Sequence, residues 1–259
     1  MCVFGALWYT PAAMARTDFT SPRLCLDGDL ALGRTLALAP EAANYLVNVL
    51  RLKTGARVLA FNGRDGEFAA ELGAERKRAT LTLTEKLREQ EQPPPVDYLF
   101  APLKHARLDY MAQKAVEMGA RSLRPVLTRR TQAARVNLER LEANAREACE
   151  QCGVIWRPEV FAPQPLARTL EQWPAERLLV FCDEDAPLAN PLDALRAAPD
   201  AAGVGLLIGP EGGFTDEERD EIGRLPNVLR LSLGPRILRA DTAAVAALAL
   251  IQARFGDWR

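Results

Sequence analysis

The chain has 259 residues, enough for one large domain or two small ones, and 48% are apolar, ample for a core. Its 33 Lys and Arg are matched by 34 Asp and Glu, so net charge does not announce a nucleic-acid binder. Five cysteines in a chain this long do not suggest a secreted disulfide framework, and no apolar run approaches membrane-spanning length, so a soluble cytoplasmic protein is expected.

Residues 1–15 carry a short apolar patch from Val3 to Trp8 with no basic residue ahead of it, which is not a signal peptide. Met14 is an alternative start, and this leader is expected to be disordered or a misassigned extension. From 16 to 90 the pattern is mostly β. Strands are expected at 23–26, 58–61, 67–72 and 80–87, with Asn62-Gly63 and Asp65-Gly66 supplying turn chemistry. One helix opens at Pro40 and sets Tyr45, Leu46, Val49 and Leu50 on an apolar face. Residues 91–95 end in Pro93, Pro94 and Pro95 and read as a stiff polar linker.

Beyond the linker, 96–259 reads as a second domain in which strands and helices alternate. Strands are expected at 96–101, 122–127, 177–182, 204–208 and 228–231. Helices are expected at 108–118, stopped by Gly119, at 138–151 and at 243–255. Alternation of this kind predicts an α/β unit, a mostly parallel sheet with helices on both faces. Gly203, Gly205 and Gly209 do not form a dinucleotide fingerprint, since the spacing fails and two of them precede or open the strand. That argues against a nicotinamide oxidoreductase.

Charge becomes informative when divided. Residues 104–168 hold 12 Lys and Arg against 7 Asp and Glu, whereas 169–235 hold 5 against 13. The basic segment, with Lys104, Arg107, Lys114, Arg129 and Arg130, would steer a polyanion. Cys149-Glu150-Gln151-Cys152 has metal-like spacing but lacks a second ligand pair, and it sits near a helix end rather than a helix start; a structural role is expected, with no metal.

Two stretches carry the chemistry. The first is Leu206-Leu207-Ile208-Gly209-Pro210-Glu211-Gly212-Gly213-Phe214, a buried strand running into a glycine loop, with Thr215 and Glu218 forming a capping box for the next helix. Glycine lets a ligand lie against the main chain. The loop offers a carboxylate, Glu211, rather than the lysine and hydroxyl of a phosphate loop. The second runs Leu231-Ser232-Leu233-Gly234-Pro235-Arg236-Ile237-Leu238-Arg239-Ala240-Asp241-Thr242, again strand, glycine turn, helix.

Together these stretches resemble the ribosomal-RNA uridine-N3 methyltransferase family of the SPOUT superfamily, with its L-I-G-P-E-G-G-F/L and L-G-x-R-I/V-L-R-x-E-T-A patterns. Asp241 stands where the family has glutamate, and Val154, after the E-A-x-E-Q-S/C-G run at 147–153, stands where it has arginine. The resemblance implies a small PUA-like, barrel-like RNA-binding domain at 16–90 and a C-terminal SPOUT domain with a trefoil knot. It implies S-adenosylmethionine bound by Ile208, Gly209, Pro210, Glu211, Gly212 and Gly213, and by Leu231, Leu233, Gly234, Ile237, Leu238 and Thr242. It implies transfer of methyl to N3 of a uridine in 16S rRNA, naked or in a ribosomal particle, by a homodimer whose last helix lies at or near the interface. Catalysis falls to Arg239, as the cation beside the uracil carbonyls, and Asp241, which either orients it or caps the following helix. Arg16, Arg23, Asn48, Arg51, Lys53, Lys104, Arg129 and Arg130 are the expected RNA contacts. A SPOUT enzyme acting on another RNA atom, and a non-catalytic RNA-binding protein on the same scaffold, are the alternatives.

Overall fold

The computed structural model describes residues 18, 20–75, 78–104, 106–133, 135–187 and 190–258. The expected leader, Arg16 and His105 lie outside the described residues. In the first half, β1 (Arg23–Cys25), β2 (Thr35–Ala37), β3 (Arg57–Phe61), β4 (Glu67–Glu75) and β5 (Arg78–Arg88) form one sheet in the order β1-β3-β4-β5-β2. The β1–β3 pair is parallel and the others antiparallel. Ala79, Leu81 and Leu83 alternate inward along β5, as one buried face requires. β2 escaped the sequence reading because three residues are too few for alternation to register.

The helix expected after Pro40 changes character midway. α1 (Pro40–Asn44) is followed by a widened turn in which the Leu50 amide donates to the Tyr45 carbonyl, five residues back, at 2.9 Å. The extra residue rotates the apolar face. Leu46 is fully buried, but Val49 is 62% exposed and Leu50 38% exposed, so the expectation that both face the core is corrected. Arg51 follows in the left-handed region at φ 54°, rare for a side chain of its size.

The second sheet has seven strands: β6 (Val96–Phe100), β7 (Ser122–Leu127), β8 (Glu159–Val160), β9 (Gln164–Pro165), β10 (Leu178–Cys182), β11 (Val204–Ile208) and β12 (Val228–Leu231). The order is β12-β10-β11-β6-β7-β8, with β9 also on β7, and every pairing is parallel. On one face Tyr98, Val180 and Leu206 pack against α2 (Ala106–Glu117), α3 (Leu138–Cys152), α5 (Pro191–Ala197) and α7 (Ala240–Phe255). On the other, Leu99, Leu179 and Leu207 pack against α4 (Leu166–Glu171) and α6 (Asp216–Gly223). Coverage on both sides explains why β6 and β11 are buried along their whole length and read as continuous apolar runs. No helix among the described residues is long and apolar enough to cross a membrane.

Polar clamps join the sheets. Glu67 sits between two arginines, accepting from Arg23 Nε at 2.7 Å and from Arg88 Nε at 2.8 Å. Arg88 also reaches the Gly153 carbonyl, and the Glu150 carboxylate accepts from the Cys25 amide, both at 2.9 Å. Arg23 is only 6% exposed, so its assignment as an RNA contact is corrected: its charge is spent on Glu67. The linker is not a free spacer either, since Pro94 is buried and the Pro95 carbonyl accepts from the Val204 amide at 2.8 Å. Cys149 and Cys152 lie in the last turn of α3, where burial pushes both thiols up, as structural cysteines require.

At the opposite end of the sheet from the carboxyl-edge loops, Asp97 gathers three donors: Arg121 Nε at 2.9 Å, Ser122 Oγ at 2.5 Å and Arg177 Nη2 at 2.6 Å. Burial alone would push its carboxyl up, but these hydrogen bonds and charges outweigh it and hold the pKa below the usual value. A depressed folded pKa contributes stability that is present above the ordinary carboxylate range and is lost as pH falls through the folded value. Asp97→Asn should therefore lower unfolding stability at pH 7 by about 3–5 kcal/mol, the cost of stranding a buried arginine. The gap to wild type should narrow below the ordinary carboxylate range. Urea unfolding across pH measures both.

Candidate active site

Because β6, β10, β11 and β12 run parallel, the loops that follow them leave the sheet along one edge, where ligands of open α/β sheets bind. The loop after β11 holds Gly209 to Gly213. Two of its glycines are demanded by the protein. A methyl at Gly209 would lie 2.4 Å from the Phe214 ring, which packs edge-on against Phe181 at 4.8 Å; Gly213 has φ +68° and would meet the Glu184 carboxylate at 2.1 Å. Gly212 differs. It is exposed, and a methyl there would touch only the flexible stem of Arg130, at 3.4 Å. Nothing among the described residues requires glycine at that position, so the cradle is open on that side to a ligand against the backbone.

The capping box predicted at Thr215 is present and does more than start α6. Glu218 Oε2 accepts from the Thr215 amide at 2.9 Å, and its other oxygen accepts from the Arg129 amide at 2.8 Å. One buried carboxylate thus ties the loop after β7 to the glycine loop. Arg130 completes the tie by donating to the Gly212 carbonyl at 2.6 Å. Arg130, expected as an RNA contact, is exposed, and its guanidinium braces the glycine loop through that bond. Glu211 is held by an ion pair with Arg107.

In the loop after β12, Leu231 is buried, Leu233 and Leu238 are half-buried, Gly234 turns at φ +101°, and Ile237 stands 98% exposed. Arg239 is the residue before α7, and its carbonyl accepts from the Ala243 amide at 2.8 Å. Its exposed guanidinium has no ion-pair partner among the described residues, whereas Arg107 and Arg129 have one each. Asp241 neither caps α7 nor orients Arg239. It lies inside the first turn and accepts from the Thr242 amide at 2.8 Å, so both expected roles are corrected.

The loop after β10 went unread in the sequence. Asp183 is buried and accepts from Arg219 Nε and Arg230 Nε, each at 3.1 Å. Asp183, Glu184 and Asp185 bring their carboxylates within 4.8 Å of one another, but Arg219 reaches all three and supplies the positive charge there. The signal was an acidic run directly after an apolar strand. Beside it, burial and the Asp183 charge push the Cys182 thiol up to about 12, so it is not a thiolate nucleophile near neutral pH.

A sequence profile of an RNA methyltransferase domain matches residues 90–252, and one of an RNA methyltransferase PUA domain matches residues 38–84. The chain belongs to the RNA methyltransferase family. It is 32% identical to ribosomal RNA small subunit methyltransferase E of Synechocystis, over 89% of this chain and 77% of that one. The same enzyme of Rickettsia conorii is 28% identical, over 89% and 94%. The crystal structure of the Neisseria gonorrhoeae enzyme bound to S-adenosyl methionine is similar with a TM-score of 0.83 and 27% identity, covering 92% of this chain and all of that one.

For a member of this methyltransferase family, the placement of the basic residues matters as much as the loops. Lys104 and Arg129 are exposed beside the carboxyl-edge loops. Asn48, Arg51 and Lys53 form a separate exposed group on the first sheet's unit, with Val49 and Leu50 turned outward among them. The glycines give a direct test. Gly209→Ala should cost about 1–3 kcal/mol by forcing the Phe214 ring out of place. Gly212→Ala should be within about 0.5 kcal/mol of wild type, as for an unconstrained surface site. Equilibrium urea unfolding of the two variants checks this.

Proposed function

We propose that this chain is an S-adenosylmethionine-dependent methyltransferase that methylates N3 of a uridine in 16S rRNA of the small ribosomal subunit. The observation that carries the reading is the open backbone at Gly212, in a loop otherwise fixed by Phe214, Glu184 and Arg130. The residues fit the cofactor. Ile208 to Gly213 and Leu231 to Thr242 would hold it, with Ile237 supplying exposed apolar surface. When bound, it supplies an electrophilic methyl group.

The chain's own residues do the rest. Uridine N3 faces its pairing partner in a duplex, so the base must be unpaired or flipped to reach the site. N3 attacks well only without its proton, and departure of that proton leaves negative charge on the two carbonyl oxygens. Arg239, exposed and with no carboxylate to neutralise it among the described residues, stabilises that charge. Lys104 and Arg129, together with Asn48, Arg51 and Lys53 on the N-terminal unit, hold the RNA backbone. The division at 16–90, 91–95 and 96–259 assigns RNA capture to the first unit and chemistry to the second. The chain is threaded through the C-terminal loops as a trefoil knot, and the enzyme works in the cytoplasm.

Arg239→Ala should fold and keep most cofactor affinity, yet lose on the order of a hundredfold or more in single-turnover rate at saturating RNA and cofactor. Arg239→Lys should recover the rate incompletely, because an ammonium lacks the planar fork of donors. Gly212→Val is the reference that should instead lose cofactor binding by calorimetry while remaining folded. A near-normal rate for Arg239→Ala removes it from the chemistry.

The enzyme is a homodimer joined through α7. That helix buries Ala244, Ala247, Leu248 and Ile251 within the chain but leaves Val245, Ala246 and Ala249 outside that set and half-buried, an apolar surface wider than one side needs. Light scattering at micromolar concentration should give twice the chain mass, and Val245→Lys should shift it to the monomer.

A further inference from the structure

A pocket of about 670 Å³ lies between the segment after β6, the start of α2, residues 132, 133 and 135–137, and the start of α3. This is ample for a nucleotide. Its apolar lining comes from Leu103, Leu108, Val136 and Leu141. The polar groups around it divide into committed and uncommitted. Asp109 is occupied by Arg140 at 2.9 and 2.6 Å and by Asn144 at 2.9 Å, and Asn137 is occupied in capping α3. Lys104 and Arg135 are exposed and have no ion-pair partner among the described residues, and Gln132 is exposed with no side-chain hydrogen bond among them. Two available cations and one available amide therefore flank an apolar floor.

The pocket adjoins the site but lies outside it. Neither Arg239 nor any residue of the two glycine stretches lines it. The segment forming one wall follows directly on Arg129 and Arg130, whose bonds to Glu218 and Gly212 fix it to the cofactor loop. We propose that this pocket holds one nucleotide flanking the methylated uridine, with its base on Leu108 and Val136, its edge read by Gln132 and its phosphate held by Lys104 and Arg135. A single-stranded chain with one base splayed out offers this combination of flat apolar face, hydrogen-bonding edge and anion. Gripping a neighbour keeps the target nucleotide unstacked while the reaction proceeds. The proposal rests on the RNA methyltransferase reading and adds a second base-binding position to it.

The test uses the full-length protein and oligoribonucleotides spanning the modified uridine, with flanking positions replaced one at a time by abasic residues. In wild type, one flanking abasic position should weaken binding about tenfold or more, the usual effect of losing one stacked base. In Ala133→Trp, which fills the pocket from its wall, binding should already be weaker by a similar factor, and that abasic position should cost nothing further. Arg135→Ala, which removes only an exposed side chain, should raise the RNA KM, leave kcat and cofactor affinity unchanged, and flatten the salt dependence. Equal abasic penalties in wild type and Ala133→Trp overturn the proposal, as does an unchanged KM in Arg135→Ala. Loss of S-adenosylmethionine binding in either variant also overturns it, by assigning the pocket to the cofactor site. Failure of wild type to bind S-adenosylmethionine would instead refute the underlying methyltransferase reading, since the RNA-binding arms do not depend on it.

Discussion

The buried carboxylate of Glu218 holds three segments at one point. It closes the first turn of α6, fixes the end of the glycine loop through Thr215, and draws in the loop after β7 through the Arg129 amide. A carboxylate with 4% exposure must have its oxygens satisfied, and here both are satisfied by backbone donors from different elements. The position of Arg130, and through it the shape of the Gly212 cradle, follows from that bond. Asp183 has the matching role at the end of β10, collecting Arg219 from α6 and Arg230 from β12.

This bracing separates two uses of glycine that look alike in the sequence. Gly209 and Gly213 are glycines because a ring and a carboxylate occupy the space that a side chain would fill. Gly212 faces outward, and the only neighbour within reach among the described residues is the arm that holds its carbonyl. A site can be rigid and still leave backbone accessible when the constraints come from behind the loop, which is the arrangement preorganised binding needs.

Electrostatics follow the same division of labour. Of the basic residues expected to meet RNA, Arg23 is consumed in the clamp with Glu67, and Arg130 donates to the glycine loop. Lys104, from that set, and Arg135 and Arg239, from outside it, have no ion-pair partner among the described residues and lie on segments leaving the carboxyl edge of the sheet. Asn48, Arg51 and Lys53 form their own group around the outward-turned Val49 and Leu50. The clamp of Glu67 and Arg88, which reaches the Gly153 carbonyl, and the bond from the Cys25 amide to Glu150 join these two surfaces in one chain.

The sequence by itself determined the strands β11 and β12 to the residue, the capping box at Thr215, the parallel character of the second sheet and the two glycine stretches. Each is a local signal, a run, a spacing or a turn residue within a few positions, and local signals survive without knowledge of the fold. Tertiary structure alone decided which charges are available. Arg23 meets Glu67 across 44 residues, Arg130 meets Gly212 across 82, and Arg129 meets Glu218 across 89. No periodicity encodes such pairings. The outward rotation of Val49 and Leu50 was hidden for a different reason: one added residue in a helical turn moves a side chain to another face while leaving the apolar spacing in the sequence unchanged.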